Sequence, residues 1–248
     1  MQYMGGKSRI ARRLAEQVDR VRRPGQLAWD PFCGGLSMSV ALSARGPVRS
    51  SDKNPALIAL YNAVRSGWEP PRRVTRAEHR AARTLPDADP RKAFCGYGCS
   101  FGGRWFASYV RPVRRYVVQR GPERGAVKIM RGHRAAARIV KRDVAAVRGP
   151  IEVLDFLSVE PQPIDAVIYC DPVYRGVTGY PEVGEFDHDL FVRRVWEWSR
   201  YAHVFVSEYE FPIGREIWAH SLRVGLNGKK SGTGVRATER LYWLQCRT

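Results

Sequence analysis

One apolar stretch ends in residues that could do chemistry. In "AVIYCDPVYRGVTGY", the run Ala166–Cys170 predicts a buried strand, and Asp171, Pro172 and Tyr174 follow it directly. Open α/β sheets bind ligands at the carboxyl ends of their strands. A carboxylate and a backbone carbonyl on one tight turn can accept two hydrogen bonds from an amino group, and an aromatic ring offers a stacking surface. The sequence therefore predicts a ligand site at this strand end.

A second candidate site lies near the start of the chain. "QLAWDPFCGGLSMSVAL" predicts a short strand, a turn at Gly34 and Gly35, and a helix. Glycines let backbone N–H groups approach a ligand closely, and a helix N-terminus favours polar or anionic groups. Asp52 follows the next predicted strand, where Rossmann-like sheets place an acidic residue that accepts hydrogen bonds from ribose hydroxyls. Asp52 could also cap the helix that begins near Pro55.

The elements that must position these residues alternate between strand and helix. Several predicted strands end at polar residues, so we expect one ligand cleft along the carboxyl edge of one sheet. The prediction comprises strands at 27–29, ending at Ser51, ending at Asp155, at 166–170, ending near Ser207 and at 240–245, with helices from about Leu36, from Pro55, at 190–198 and at 213–218.

Positive charge is concentrated in one segment. The 248 residues carry a formal charge of +18, and residues 72–150 contain 20 lysines and arginines against 5 aspartates and glutamates, a net +15. Arginines interleaved with aromatic residues suit phosphates, guanine edges and unstacked bases. A solvated basic surface is the alternative, but the local concentration favours a nucleic-acid partner.

Composition excludes several other classes of protein. No apolar run is long enough to span a membrane, and the basic start "MQYMGGKSRIARR" is not followed by a signal-peptide core, so we expect a cytoplasmic protein. Five scattered cysteines predict free thiols rather than a disulfide framework. Cys95 and Cys99, even with His79 and His133 nearby, do not have zinc-site spacing, so we expect no metal.

Four motifs together resemble the Dam-like family of DNA adenine N6-methyltransferases. "YMGGKSRIA" is similar to an N-terminal element with an aromatic residue before Ala-Gly-Gly-Lys, and "DPFCGGLS" resembles (D/E)PFxGxGS. "SDKNPALIALYN" resembles D-x-N-x-x-L-(I/V)-x-x-Y, and "CDPVYRGVTGY" resembles the catalytic CDPPY. Their order is that of family members with the cofactor motifs first, a recognition insertion next and the catalytic motif last.

The resemblance implies an enzyme that uses S-adenosylmethionine, releases S-adenosylhomocysteine and methylates the N6 amino group of an adenine flipped out of double-stranded DNA. It implies a Rossmann-like sheet with helices on both faces and an inserted, mostly helical, basic recognition domain. Residues 1–71 and 151–248 would bind the cofactor and catalyse, and residues 72–150 would recognise DNA. We expect a solitary enzyme or half of a restriction-modification pair in a prokaryotic or phage-infected cell, with no obligatory protein partner.

Residue roles follow from the same resemblance. Catalysis is assigned to Asp171, Pro172 and Tyr174, with Tyr174 stacking on the flipped base. Cofactor binding is assigned to Tyr3, Lys7, Phe32, Gly34, Asp52, Asp155 and Asp171. The candidate DNA contacts are Arg104, Trp105, Arg111, Arg114 and Arg115. The stretch "FCGYGCSFGGRWFASYVRP" lacks the Arg-x-Asn-x-x-Gly-x-Phe-Asn pattern of the closest Dam enzymes, so a GATC target is not inherited.

Val173 is the main departure from the family pattern. Proline at this position would fix φ and stiffen the turn, whereas valine keeps both acceptors and the aromatic ring. We therefore expect retained but slower methyl transfer. Two alternatives stay open: a silent nucleic-acid-binding protein on a methyltransferase scaffold, and an enzyme that acts on RNA or on cytosine N4. Asp187 and its neighbours are expected to cap a helix, Ser207 or Glu208 could touch the base, and Glu239 is expected to be a charge at a strand edge or in a loop.

Overall fold

The structure is a computed structural model, and it describes residues 1, 3–117, 124–130, 132–160, 165–176, 184–224 and 235–245. Within them a seven-stranded sheet has the order β5-β2-β1-β6-β7-β9-β8, and a two-stranded hairpin pairs β3 with β4. Strands β5, β2, β1, β6 and β7 are parallel, and β9 and β8 are antiparallel additions at one end. The strands are β1 Leu27–Asp30, β2 Val48–Asp52, β3 Arg114–Val117, β4 Val127–Met130, β5 Ile151–Val153, β6 Ala166–Cys170, β7 His203–Glu208, β8 Arg215–Val224 and β9 Val235–Leu244.

Helices cover both faces of the sheet, as predicted. Alternate strand residues point to opposite faces: Ala28 and Val167 pack against α1 and α2, while Trp29 and Ile168 pack on the side of α7. The helices are α1 Ala11–Val18, α2 Ser37–Ser43, α3 Pro55–Arg65, α4 Arg76–Ala81, α5 Pro90–Ala93, α6 Gly132–Ala146 and α7 His188–Ser199. Among the described residues, no helix is long and apolar enough to cross a membrane.

The segment 72–150 shares a core with the rest of the chain. Helix α6 packs beside α2 and α3, and Tyr61 of α3 belongs to the same buried cluster as Phe94 and Val140. This segment contains α4, α5, α6 and the β3–β4 hairpin. Its division from the remainder as a separate recognition domain stays a prediction.

The predicted helix at 213–218 was wrong. Residues 215–224 form β8, which pairs along its length with β9. An apolar stretch this short fits either a strand or a helix, and the choice was made by pairing with a distant segment. The predicted loop at 225–235 lies mostly outside the described residues, and the last strand begins at Val235, earlier than predicted.

Candidate functional site

A cleft opens where the strand order reverses. Strand β1 continues through α2 to β2 on one side, and β6 continues through α7 to β7 on the other, so the carboxyl ends of the adjacent strands β1 and β6 face a common crevice. All seven residues predicted to bind a cofactor line this cleft, namely Tyr3, Lys7, Phe32, Gly34, Asp52, Asp155 and Asp171. One cleft therefore contains residues that are up to 168 positions apart in the sequence.

The glycine turn is closely packed under Tyr3. Gly34 has φ +39°, and a Cβ there would lie 3.0 Å from Cε1 of Tyr3. A Cβ at Gly35 would lie 2.9 Å from Cβ of Tyr3. The N–H of Gly34 donates to Oδ2 of Asp52 at 2.9 Å. The glycines thus make room for an aromatic side chain of this protein, and Asp52 stabilises the turn from below.

Asp52 and Asp155 hold loops at neighbouring strand ends. Besides Gly34, Asp52 accepts a hydrogen bond from the N–H of Asn54 at 3.0 Å. The residue that caps α3 is Asn54, which accepts from the N–H of Leu57, so the alternative of Asp52 as the cap was wrong. Asp155 caps a short 3₁₀ turn and lies 3.2 Å from Nζ of Lys53.

Phe32 forms part of an aromatic wall of the cleft. Its ring centroid lies 5.1 Å from that of Phe156 and 5.6 Å from that of Phe191, with Phe186 at 6.0 Å. Tilted and edge-on contacts of this kind are favourable and fix ring orientation. The wall gives the cleft an apolar side opposite its carboxylates.

Lys7 forms an ion pair with Asp171 inside the protein. Nζ of Lys7 lies 2.8 Å from Oδ1 of Asp171 and 3.6 Å from Oε1 of Glu239, and the Lys7 side chain is only 9% exposed. Burial raises the pKa of Asp171, and the Lys7 ammonium opposes that rise. Burial also disfavours the charged form of Lys7, but attraction to Asp171 and Glu239 outweighs it and raises the pKa of Lys7. Lys7 therefore stays charged and favours the carboxylate form of Asp171.

Tyr174 is held from three sides. Its hydroxyl donates to Oε1 of Glu239, its ring meets that of Tyr209 edge-on at 4.8 Å, and Nζ of Lys7 lies 4.6 Å from its ring centroid. Tyr174 is 8% exposed and does not line the cleft. Pro172 is buried and is also not among the lining residues. Val173 does line the cleft, between these two.

Glu239 is buried and was missed from the sequence. It lies on β9, between β7 and β8, and is 3% exposed, although we expected a charge at a strand edge or in a loop. Burial raises its pKa, while Lys7 and the Tyr174 hydroxyl favour the ionised form. A charged residue inside the apolar stretch "TERLYWL" was the available signal, but the position of β9 within the sheet was needed to interpret it.

Asp30, the last residue of β1, is a second site residue that was missed. Its Oδ2 accepts from the Ser39 hydroxyl at 2.7 Å, whereas its Oδ1 has no hydrogen-bond partner among the described residues. Asp30 is 1% exposed and lines the cleft. Burial raises its pKa to about 7. Its position at the start of "DPFCGGLS" was the sequence signal.

Two further predictions concern the start of α7 and the end of β7, and the structure decides the first of them. Asp187 caps α7, accepting from the N–H groups of Asp189 and Leu190, as expected. The hydroxyls of Ser207 and Tyr169 are 2.6 Å apart, and both side chains are buried. Glu208 is also buried, and burial raises its pKa to about 7. Contact of Ser207 or Glu208 with a base stays a prediction.

The candidate DNA-contact residues differ in how far their side chains are buried. Trp105 is partly buried, with its ring centroid 4.8 Å from those of Tyr97 and Phe106, so much of this side chain packs into the core. Arg111 is exposed and Arg104 is half-buried. Arg114 and Arg115 lie on β3, and their side chains are outside the described part.

The cysteines and histidines make structural contacts. Four cysteines in the described residues are free thiols, as predicted. Nε2 of His79 lies 2.8 Å from the Ser100 hydroxyl, and His133 bridges the N–H of Val74 and the carbonyl of Val110. Within the described ranges no group of three or more potential metal ligands is found.

Comparison with known protein families gives one match. Residues 3–89 match the family described as D12 class N6 adenine-specific DNA methyltransferase. The matched residues make up about a third of the chain, and they are similar to that family. The match confirms the resemblance stated from the sequence and supports a methyltransferase. It includes the glycine turn and Asp52, and it ends before Asp171.

Comparisons with individual proteins give only distant likenesses. No curated protein matches the chain. The rRNA methyltransferase aviRa from Streptomyces viridochromogenes is 14% identical over 94% of this chain and 84% of its own, with TM-scores of 0.39 and 0.36 in two structures. The crystal structure of SMU.472 complexed with SAH is 12% identical over 98% of this chain and 54% of its own, with a TM-score of 0.37. Likeness at this level does not transfer a substrate or a site.

Proposed function

We propose that this protein transfers a methyl group from S-adenosylmethionine to the N6 amino group of an adenine in double-stranded DNA. The observation that carries the proposal is the single cleft in which Asp171 lies beside the glycine turn and Asp52 of the D12-type segment. A methyl donor bound along the glycine turn would lie next to the acceptor that positions the amino group.

The residues of the cleft fit a positively charged methyl donor. Asp30 contributes a buried carboxylate oxygen without a hydrogen-bond partner among the described residues, and Asp52, Asp155 and Asp171 line the same cleft. A buried, unpaired acceptor is costly, so a cationic or hydrogen-donating ligand there would be favoured. S-adenosylmethionine supplies a methyl group activated by a positively charged sulfur. We assign Asp52 to the ribose, Asp155 to the adenine, and Tyr3, Phe32 and Gly34 to the walls around the cofactor.

The chemical task of the protein is to activate a weak nucleophile. The lone pair of the adenine amino group is delocalised into the ring. Two acceptors that bind both amino hydrogens draw the nitrogen toward tetrahedral geometry and localise that lone pair. The Asp171 carboxylate and the Pro172 carbonyl are adjacent on the chain and can supply both acceptors. Correct positioning of the two reactants contributes up to roughly 7–11 kcal/mol in favourable intramolecular reactions.

Lys7 and Glu239 keep the acceptor in its working state. At 2.8 Å, the Lys7 ammonium opposes protonation of the partly buried Asp171, and a protonated Asp171 would lose acceptor capacity. Glu239 shares Lys7 with Asp171 and anchors the Tyr174 hydroxyl. Both are positioning residues, because they act through Asp171 and Tyr174.

Tyr174 is assigned to the flipped base. The target adenine must leave the duplex because its amino group is inaccessible within the stack, and base–aromatic stacking returns about 1–3 kcal/mol per base. Lys7 and Tyr209 both contact the ring of Tyr174. A base that stacks on this ring must therefore displace one of these side chains or contact it as well. Its anchored hydroxyl fixes the ring for that contact.

Incubation with S-adenosylmethionine carrying a labelled methyl group tests the proposal, with duplex DNA and duplex RNA supplied separately. We expect label in DNA, and cofactor binding measured by calorimetry without nucleic acid. Label in RNA instead of DNA would show that RNA is the substrate. Cofactor binding and DNA binding without any transfer would support the silent binding protein, for which Val173 is the motivating residue.

A further inference from the structure

A second pocket lies away from the cleft and is rimmed by arginines. Arg76 and Arg80 of α4 and Arg83 of the following turn line it together with His79, Phe106, Ala107, Ser108 and Tyr109. Positions four and three residues apart fall on one side of a helical segment, so three guanidiniums face one opening. All three side chains are exposed, whereas His79 and Phe106 are buried in the floor.

Two of the three arginines pack against aromatic rings, and none of the three forms an ion pair among the described residues. The guanidinium of Arg76 lies 5.6 Å from the Tyr109 ring centroid, and that of Arg83 lies 5.2 Å from the Phe106 ring centroid. Arg83 also donates to the Phe106 carbonyl at 2.6 Å, which uses one of its five N–H donors. Across the described residues, the ion pairs of this part of the chain are formed by other basic side chains, namely Arg91, Lys92, Lys141 and Arg142.

Among the described residues no carboxylate lines the pocket, but Glu78 lies on the same helix. The Glu78 side chain accepts from the N–H and hydroxyl of Thr75, and these hydrogen bonds lower its pKa, so Glu78 keeps its negative charge. One carboxylate offsets at most one of the three guanidinium charges. The remaining positive charges repel one another, so an anion that contacts all three arginines would be favoured.

A row of aromatic rings connects this pocket to the cleft. The Tyr3 ring lies 4.9 Å from that of Tyr97, Tyr97 lies 4.8 Å from Trp105, and Trp105 lies 4.8 Å from Phe106. Phe106 has a positive φ of 42°, which is strained for this residue type, and its N–H donates to the Gly96 carbonyl at 2.8 Å. Three successive ring contacts therefore connect Phe106 in the floor of the pocket to Tyr3 in the cleft.

We propose that the pocket rimmed by Arg76, Arg80 and Arg83 binds a backbone phosphate of the DNA duplex whose adenine enters the cleft. That the anion belongs to DNA rests on the proposed function. That the pocket binds an anion rests on the pocket itself. Guanidinium groups bind phosphate oxygens in pairs of hydrogen bonds, and such contacts set the register of a protein on a duplex without reading its sequence. The aromatic row would hold this contact at a set distance from Asp171.

Salt-dependent DNA binding tests the assignment. The variant R76Q/R80Q/R83Q removes the three charges, and R12Q/R13Q/R20Q removes three exposed charges at and just after α1, which packs in a different core cluster. Affinity for a fluorescent mixed-sequence DNA duplex is measured over a range of KCl concentrations. Each lost phosphate contact lowers the magnitude of the slope of log affinity against log salt by about 0.9, so we expect a decrease of about 0.9 for the pocket variant, which loses one phosphate. The α1 variant should keep the slope of the unaltered protein.

Other outcomes separate this inference from the proposed function. If the unaltered protein methylates DNA and both variants show equal slopes, the phosphate site is wrong and the proposed function stands. If the unaltered protein neither binds nor methylates DNA, both fail. Inorganic phosphate that raises the melting temperature through these arginines, without a change in the DNA slope, would indicate a free-anion site. Tighter, arginine-dependent binding of duplex RNA would overturn the assignment to DNA.

Discussion

The cleft and the arginine pocket use charge in opposite ways. At the cleft, Nζ of Lys7 lies 2.8 Å from Oδ1 of Asp171 and 3.6 Å from Oε1 of Glu239; Lys7 and Glu239 are buried, and Asp171 is partly buried. In the pocket, Arg76, Arg80 and Arg83 are exposed, and within the described part of the chain no acidic residue lines the same opening. Buried charges act strongly over short distances, whereas exposed charges attract partners and are screened by salt. Under the proposed function, the difference predicts that methyl transfer and DNA affinity depend on separate parts of the molecule.

Asp171→Ala should have the largest effect of these variants. It should abolish most methyl transfer and leave DNA affinity nearly unchanged. Loss of one preorganised hydrogen-bonding group at a reacting centre commonly costs about 10²–10³-fold in rate, and the Lys7 ammonium would keep only its 3.6 Å contact with Glu239. We expect methyl transfer to fall by at least that factor while DNA affinity stays within about twofold, since the arginine pocket is unchanged. Labelled-methyl incorporation and anisotropy with the same duplex measure both. Equal losses in methyl transfer and DNA binding would contradict the assignment of these two properties to different regions.

Glu239→Gln should have a smaller effect confined to the cleft. Hydrogen bonds to charged groups contribute about 1.5–3 kcal/mol, so kcat should fall by about tenfold or more with little change in cofactor affinity. Tyr174→Phe removes the other partner of the same hydrogen bond. If Glu239 acts through Tyr174, the double variant should lose little more than either single variant. Fully additive losses would show that Glu239 acts elsewhere.

Asp30→Asn should alter the pH dependence of stability. Burial raises the pKa of Asp30 to about 7 in the folded protein, against about 3.9 for an unfolded aspartate. Between these values the folded state binds more protons, so the free energy of unfolding should decrease as pH rises from about 4 to 7. Denaturant unfolding at several pH values should show that the free energy of unfolding of the variant decreases less steeply with pH. Glu208 has the same sign of shift, so some decrease remains. Identical pH profiles would mean that Asp30 is not the responsible carboxyl.

Val173→Pro should have the smallest effect. Proline at a compatible position stabilises by about 0.4–1 kcal/mol through the unfolded chain, so transfer should equal or modestly exceed that of the unaltered protein. DNA affinity should not change. Activity that appears only in the proline variant would show that valine silences the site, and a loss of activity would show that the turn requires the valine N–H or its φ.

Much of the cleft could be predicted because strand ends converge by topology. Asp52, Asp155 and Asp171 each follow a predicted strand, and parallel strands place such residues along one edge of a sheet. The family resemblance added Tyr3 and Lys7, which no strand positions. Both lie in the cleft beside the others.

What could not be predicted depends on contacts between distant segments. Residues 213–218 fit a helix locally, and pairing with β9 made them part of a strand. Glu239 resembles an edge charge until β9 is placed between β7 and β8. The arginine pocket requires Phe106 and Tyr109 to pack beneath α4, a contact that the charge count of residues 72–150 does not specify.

The most direct test of the central claim is methylation-sensitive long-read sequencing of DNA from cells that express the chain, with cells expressing Asp171→Ala as the control. The account predicts N6-methyladenine at one recurring sequence motif in the first DNA and none at that motif in the second. Good expression without any methylated motif, or methylation of cytosine instead of adenine, would contradict it.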